Sequence, residues 1–321
     1  MSTEGSTKAI LAALGANVGI AVAKFVGFAI TGSSSMLAEG VHSVADSGNQ
    51  GLLLLGGKQA KRQADAKHQF GYGANRYFFA FVVALVLFLL GSVFAIYEAI
   101  HKLQHPEPLS MPIVAVLILV VAIGLEGYSF RTAMRESSKL RGDSSWWQFI
   151  RNSRNPELPV VLLEDSGALV GLVFALFGVS MTWATDNPVF DAIGTLLIGI
   201  LLGIIAIILI TETRSLLIGE PAVPAEQARI EQLLVESGSD RVITRVVHLR
   251  TQHLSPDDLL IAAKVAVAPG STIQQISVAI NDAEARVRAG LPHSALIYLE
   301  PDLLNAVPAP EAATRGQIGS P

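Results

Sequence analysis

Ser34-Ser35-Met36-Leu37-Ala38-Glu39-Gly40-Val41-His42-Ser43-Val44-Ala45-Asp46-Ser47-Gly48-Asn49-Gln50 leads an apolar stretch that runs from Ser35 to about Gly57. On a helix of 3.6 residues per turn, Glu39, His42, Asp46, Asn49 and Gln50 fall on one face. The stretch is long enough to cross a bilayer. Each ionisable group at mid-membrane costs about 2.5–3.5 kcal/mol, so a stripe of them needs a partner that returns the energy. A divalent cation is the simplest partner for an imidazole and a carboxylate one turn apart. The stretch therefore reads as a transmembrane helix carrying a metal site.

The composition agrees with a membrane setting. Of 321 residues, 51% are hydrophobic and 16% charged, with a mean hydropathy of +0.48; soluble domains carry nearer a quarter charged residues. A net charge of −4 and a pI near 6.0, with no basic stripe, exclude a nucleic-acid partner. Cysteine is absent, which excludes disulfides and thiolate zinc sites. Any metal must be held by His, Asp, Glu, amides or water. Met1 to Lys8 lacks the basic start and small-residue cleavage site of a secretory signal, so the first apolar segment is expected to stay in the mature protein.

Six apolar segments of spanning length can be read: Ala9–Ile30, Ser35–Gly57, Tyr77–Ile100, Met111–Ser129, Leu158–Trp183 and Pro188–Thr211. The link after the second holds Lys58, Lys61, Arg62, Lys67 and Arg76. The link after the fourth holds Arg131, Arg135, Lys139, Arg141, Arg151 and Arg154. The other links carry one basic residue, Lys102. Positive-inside bias puts the basic links and both termini in the cytoplasm. After Glu220-Pro221 the pattern changes to helix Ala225–Glu236, strands Val242–Arg250 and Leu259–Ala268, helix Ile273–Ala289 and strand Ala295–Glu300. The expected architecture is a six-helix transmembrane bundle over residues 1–219, then a small cytoplasmic α+β domain over 220–304 with αββαβ order, ferredoxin-like. A disordered tail rich in Pro, Ala, Gly and Ser is expected over 305–321.

The intramembrane polar residues admit more than one role. His42 and Asp46, at i and i+4, can reach a common point as metal ligands; they can also form a helix–helix hydrogen bond or an internal ion pair. Glu164 and Asp165 lie inside the fifth segment and point about 100° apart. Asp165 is the stronger candidate ligand and Glu164 a possible fourth, unless one is an interfacial carboxylate near the helix N-terminus. Glu39 fits a supporting acceptor, part of an entry path, or an interfacial residue. Asn17, Lys24, Glu98 and Glu126 are further candidates; Lys24 can neutralise a neighbouring carboxylate, Glu98 near a span end can reach water by itself, and Glu126, near the cytoplasmic end of its segment, reads as an interface residue. Phe70-Gly71-Tyr72-Gly73 echoes a potassium filter in letters only, lying in a charged link without a pore-helix pattern. The common hydrolase signatures H-E-x-x-H and G-x-S-x-G are absent, and no catalytic set emerges.

Ser34 to Asp46 resembles the second-helix motif of cation diffusion facilitators, and His68-Gln69-Phe70-Gly71-Tyr72-Gly73 resembles the loop motif that follows it in that family. The resemblance extends nearly to Leu303. It implies six spans, cytoplasmic ends, a soluble dimerisation domain, and a tetrahedral transport site built from His/Asp-x-x-x-Asp pairs on helices two and five. His42 and Asp46 match the first pair and Asp165 the last position. Val161 stands where the family usually has His or Asp, so Glu164, Glu39 or a water would complete the shell. The Leu162-Leu163-Glu164-Asp165 segment is similar to a divergent branch that includes a mitochondrial-type zinc transporter. The soluble domain keeps His248, but Tyr298 and Glu300 stand where a His and an Asp are common, so its zinc sites are expected to be weak or missing.

The resemblance implies a homodimeric secondary transporter, not an enzyme, with no prosthetic group. It would export a divalent transition metal, Zn²⁺ by family default, across the plasma membrane in exchange for protons. Mn²⁺, Fe²⁺ and Co²⁺ share the required chemistry, since one imidazole among oxygen ligands does not separate them. The competing expectation is a membrane metal-binding or scaffold protein of the same fold that no longer transports.

Overall fold

The computed structural model describes residues 3–142, 145–154, 157–235 and 242–303; the expected tail from Asn305 lies outside them. The chain divides into two compact units, Met1–Gly219 and Glu220–Pro321. The first unit is helical. α1 (Thr3–Thr31) and α2 (Ser34–Ala60) are joined by a short turn. α3 (Asn75–Val82) continues through a π-helical stretch, Val83–Phe88, into α4 (Leu89–Gln104). α5 (Pro112–Arg141), the short α6 (Trp146–Asn152), α7 (Glu157–Thr185) and α8 (Val189–Ile218) follow.

Among the described residues, four stretches have the length and apolarity to cross a membrane: Asn75–Gln104, Pro112–Arg131, Pro159–Thr185 and Val189–Ile218; Asn17–Thr31 is apolar but shorter. α2 has 27 residues, about 40 Å, and its polar stripe lowers its hydropathy. The bundle is apolar outside as well as inside. Val18, Val22, Val26 and Ile30 form an exposed stripe along α1, while Met36, Leu119, Leu172, Ile198, Leu202 and Leu209 pack in the core. An exposed apolar surface of this extent is stable only against lipid or a partner.

α2 reverses the usual arrangement. Its buried face carries Glu39, His42, Ser43, Asp46 and Asn49, because it packs against α1, α3, α4, α7 and α8 and has little surface left to show. α7 and α8 meet closely at Gly178 and Gly194, where a Cβ on either would lie 2.8 Å from a backbone carbonyl of the other helix. Such small-residue crossings are how membrane helices gain packing contacts.

Two features lie beyond what the apolar segments mark. α5 runs to Arg141, twelve residues beyond Ser129, because the charged residues after the apolar segment are good helix formers. The following link contains α6, which starts with a capping box in which Ser145 and Gln148 satisfy each other's backbone N–H groups.

The second unit comprises α9 (Pro224–Val235), β1 (Ile243–His253), β2 (Asp258–Val267), α10 (Ile273–Gly290) and β3 (Ser294–Leu303). The sheet order is β1-β2-β3. β1 pairs antiparallel with β2, and β2 parallel with β3 across the α10 connection. Ile230 and Leu234 of α9 and Val287 of α10 pack over Leu259, Ile261 and Val265 of β2. On the sheet, Lys264 pairs in register with His248. Its ammonium lies 3.1 Å from Glu300 and 3.5 Å from Asp302. Hydrogen bonding to Glu300, then the charge of Asp302, raises the Lys264 pKa. The carboxylate at position 300 is therefore engaged by a resident cation.

Candidate metal site

Glu39, His42, Asp46 and Asn49 follow one another at helical spacing along the buried face of α2. His42 Nδ1 lies 3.4 Å from Asp46 Oδ1, both side chains nearly inaccessible. α7 brings Glu164 and Asp165 to the same interior. The Asn49 amide donates to Glu164 Oε2, which ties the α2 stripe directly to α7. Asp165 accepts from the Ser129 hydroxyl of α5 at 3.4 Å. Adjacent on the helix, the two carboxylates thus face different neighbours, as their 100° separation requires.

Glu39 is engaged elsewhere. Lys24 Nζ of α1 donates to Glu39 Oε2 at 2.9 Å and to Ser43 Oγ at 2.7 Å, and neither charged side chain has any exposed surface. Lys24 therefore neutralises a carboxylate, one of the roles open to it from sequence. Glu126 of α5 is not the interface residue its place in the sequence suggests: the packing of α5 against α1 and α7 leaves it buried, and it is among the charges acting on Asp46, Glu164 and Asp165. Asn17 and Glu98 are half-buried on α1 and α4, and neither figures among those charges.

Among the described residues, Glu39, Asp46, Glu126, Glu164 and Asp165 act on one another in this region, and Lys24 is the ammonium beside them. Three acceptors on α2 are also buried without a hydrogen-bond donor among the described residues: Glu39 Oε1, Asn49 Oδ1 and Gln50 Oε1. Buried acceptors are nearly always satisfied, and a cation is one species that satisfies several at once. Among the described residues, however, no three His, Asp or Glu side chains converge closely enough to share one metal ion. The acids, the imidazole and the amides are gathered in one buried region without being closed into a coordination shell.

Residues 10–218 match the cation efflux transmembrane domain. The chain belongs to the cation diffusion facilitator family. Members are metal-cation transporters rather than enzymes. Among the relatives, the proton-coupled zinc antiporter SLC30A9, mitochondrial, of Mus musculus is 32% identical over 243 residues, covering 75% of this chain and 43% of the relative. Its Xenopus laevis counterpart is 34% identical over 246 residues, covering 76% and 44%. The zinc transporter ZitB of Pectobacterium atrosepticum is 27% identical over 252 residues, covering 78% and 70%. The chain thus spans less than half the length of the antiporter relatives.

The family loop motif has its own structural logic, centred on a residue the sequence reading passed over. Asp65 accepts the backbone N–H of Lys67 at 2.9 Å and of His68 at 2.8 Å, and the Tyr72 hydroxyl at 2.6 Å. Arg62 lies 4.4 Å over the Tyr72 ring. The Tyr72 hydrogen bond, then the His68 N–H, lower the Asp65 pKa. An Asp followed within three residues by backbone donors is a recognisable turn signal. It was legible in Asp65-Ala66-Lys67-His68.

Proposed function

We propose that this protein is a homodimeric secondary transporter that moves a divalent transition-metal cation, Zn²⁺ foremost, out of the cytoplasm in exchange for protons. The observation that carries the reading is the buried stripe of α2, His42 with Asp46, linked through Asn49 to Glu164 on α7 beside Asp165. His42, Asp46 and Asp165 serve as ligands, Glu164 as the fourth, and Glu39 as a supporting acceptor held by Lys24. The names of the relatives, a proton-coupled zinc antiporter and a zinc transporter, support substrate and coupling.

The coupling follows from competition for the same lone pairs. A protonated imidazole has none to offer a metal, and a carboxylic acid binds a dication far more weakly than a carboxylate, so metal entry expels protons. An excess of four carboxyls over Lys24 cannot stay ionised in a dry interior. Either protons or a dication must reduce it. Rocking of helices about a fixed site would expose that site to each side alternately. In this reading the bundle spans six times with both termini in the cytoplasm, at the plasma membrane, and the ferredoxin-like αββαβ unit serves dimerisation.

Val161 at the usual ligand position, together with the unclosed coordination shell, favours a second reading as a metal-binding or scaffold protein that does not transport. Zinc flux into inverted proteoliposomes under an imposed pH gradient separates the two. The parent is expected to move zinc and Asp46→Ala and Asp165→Ala to lose it; equal flux in all three overturns the carrier reading.

A further inference from the structure

We propose that Asp191, in the first turn of α8, is the positioning residue that fixes the depth and rotation of α2, and so the direction in which His42 and Asp46 face. This inference rests on the transport-site reading above. A helix begins with N–H groups that lack intrahelical acceptors, and in a membrane protein each must find one. In α2 the Ser34 N–H donates to Asp191 Oδ2 at 2.8 Å and the Ser35 N–H to Oδ1 at 3.4 Å. The Met36 N–H donates to Ser33 Oγ at 3.3 Å, and that hydroxyl donates onward to Asp191 Oδ1 at 2.7 Å. The Ser34 hydroxyl adds a bond to Oδ2 at 2.9 Å, and the Ser35 hydroxyl one to the Asp191 carbonyl at 2.9 Å. One carboxylate from another helix therefore organises the whole start of α2.

Asp191 is itself fixed. It is fully buried, and its N–H donates to Thr182 Oγ1 of α7 at 3.0 Å. The turn before α2 is pinned independently, since Lys102 Nζ donates to the Gly32 carbonyl and the Ser110 N–H to the Thr31 carbonyl, both at 2.7 Å. His42 and Asp46 follow Ser34 by eight and twelve residues on an unbroken helix, about 12 and 18 Å along its axis. A slip of one residue at the start would rotate both ligands by about 100° and shift them about 1.5 Å. The hydrogen-bond partners of the Asp191 side chain are the serines at the start of α2, not the proposed ligands. It acts through the helix that bears them.

Carboxylate chemistry makes the claim testable. Both Asp191 oxygens accept, whereas an amide offers one acceptor and turns a donor toward the other N–H. Asp191→Asn is nearly isosteric and should still release the start of α2. Because the chain has no cysteine, an Asn49→Cys/Glu164→Cys pair reports the α2–α7 facing without background thiols. Oxidative cross-linking of that pair in the full-length chain is expected to slow about tenfold on adding Asp191→Asn, the effect of losing one charge-assisted hydrogen bond. In chains that keep Asn49 and Glu164, the visible spectrum of bound Co²⁺ is expected to change with Asp191→Asn.

Ser34→Ala removes one hydroxyl donor and keeps the backbone bonds, so it should shift cross-linking in the same direction by less. It also decides the matter should Asp191→Asn not give folded protein. Unchanged cross-linking and an unchanged Co²⁺ spectrum in a folded Asp191→Asn chain, or unchanged cross-linking in Ser34→Ala when that chain alone folds, would overturn the proposal. Absence of Co²⁺ binding in the parent would instead remove the metal-site reading, leaving cross-linking to decide the role of Asp191.

Discussion

Removing the Lys24 ammonium tests whether the buried Lys24–Glu39 pair supports the fold or the chemistry. At 2.9 Å and an effective dielectric of about 20, the attraction is about 6 kcal/mol. Much of it offsets the cost of burying both ions, so the net worth of the pair is small, while the cost of breaking it is not. Lys24→Met also deletes the bond to Ser43 and leaves Glu39 alone in a site with no exposed surface. The expected destabilisation is about 3–5 kcal/mol. The double change Lys24→Met/Glu39→Met removes both charges and is expected to recover most of that loss, giving a coupling energy of several kcal/mol in a double-mutant cycle. Reversible unfolding of the full chain in detergent measures all four corners. Additive effects of the two single changes would refute the reasoning, since they would mean the charges do not depend on each other. The same double variant separates two roles for Glu39. Zinc affinity is retained if Glu39 only partners Lys24, and is lost if Glu39 ligates the ion.

Two smaller perturbations follow from neighbouring geometry. A Cβ at Gly171 of α7 would meet Glu39 Oε1 at 2.5 Å, and Glu39 cannot swing away without leaving Lys24. Gly171→Ala is therefore expected to cost about 1–3 kcal/mol of stability, measured by the same unfolding assay, and to become nearly neutral when Lys24→Met/Glu39→Ala has cleared the space. In the loop, the lowered Asp65 pKa means its contribution is fully present above the unfolded value of about 3.9. That contribution is lost as pH falls through the lower folded value. Asp65→Asn should loosen the Tyr72 contact at neutral pH, while the parent loop stays ordered until the solution is more acidic than about pH 4; proteolytic nicking between Arg62 and Gly73 reports both.

The polar stripe of α2 was legible because membrane helices so rarely carry such groups that their spacing alone marks a buried face. The pairing of Lys24 was half legible. Sequence showed a cation among acids, but only the packing of α1 on α2 selects Glu39 over Asp46 or Glu126. Asp191 was hidden for the opposite reason. It opens an apolar segment at a place where an interfacial carboxylate is unremarkable, and its acceptor role depends on three serines more than 150 positions away. The apolar segment ending at Ser129 was legible, within two residues of the apolar span Pro112–Arg131, but not the continuation of α5 to Arg141, because hydropathy reports where lipid stops, not where a helix does. The π-helical stretch at Val83–Phe88 has no sequence signal that we can name.

The Lys24–Glu39 contact also bears on how the protein is made. Both charges sit on a hairpin of two consecutive helices, on opposite arms of the Gly32-Ser33 turn. These two charges can therefore enter lipid as a neutral pair once both arms of the hairpin have been made, while Asp46 on the second arm still lacks a counter-charge. A nascent chain lacking either charge carries the other into the bilayer unescorted, so each single variant is expected to give less membrane-inserted protein than the parent or the Lys24→Met/Glu39→Met double variant.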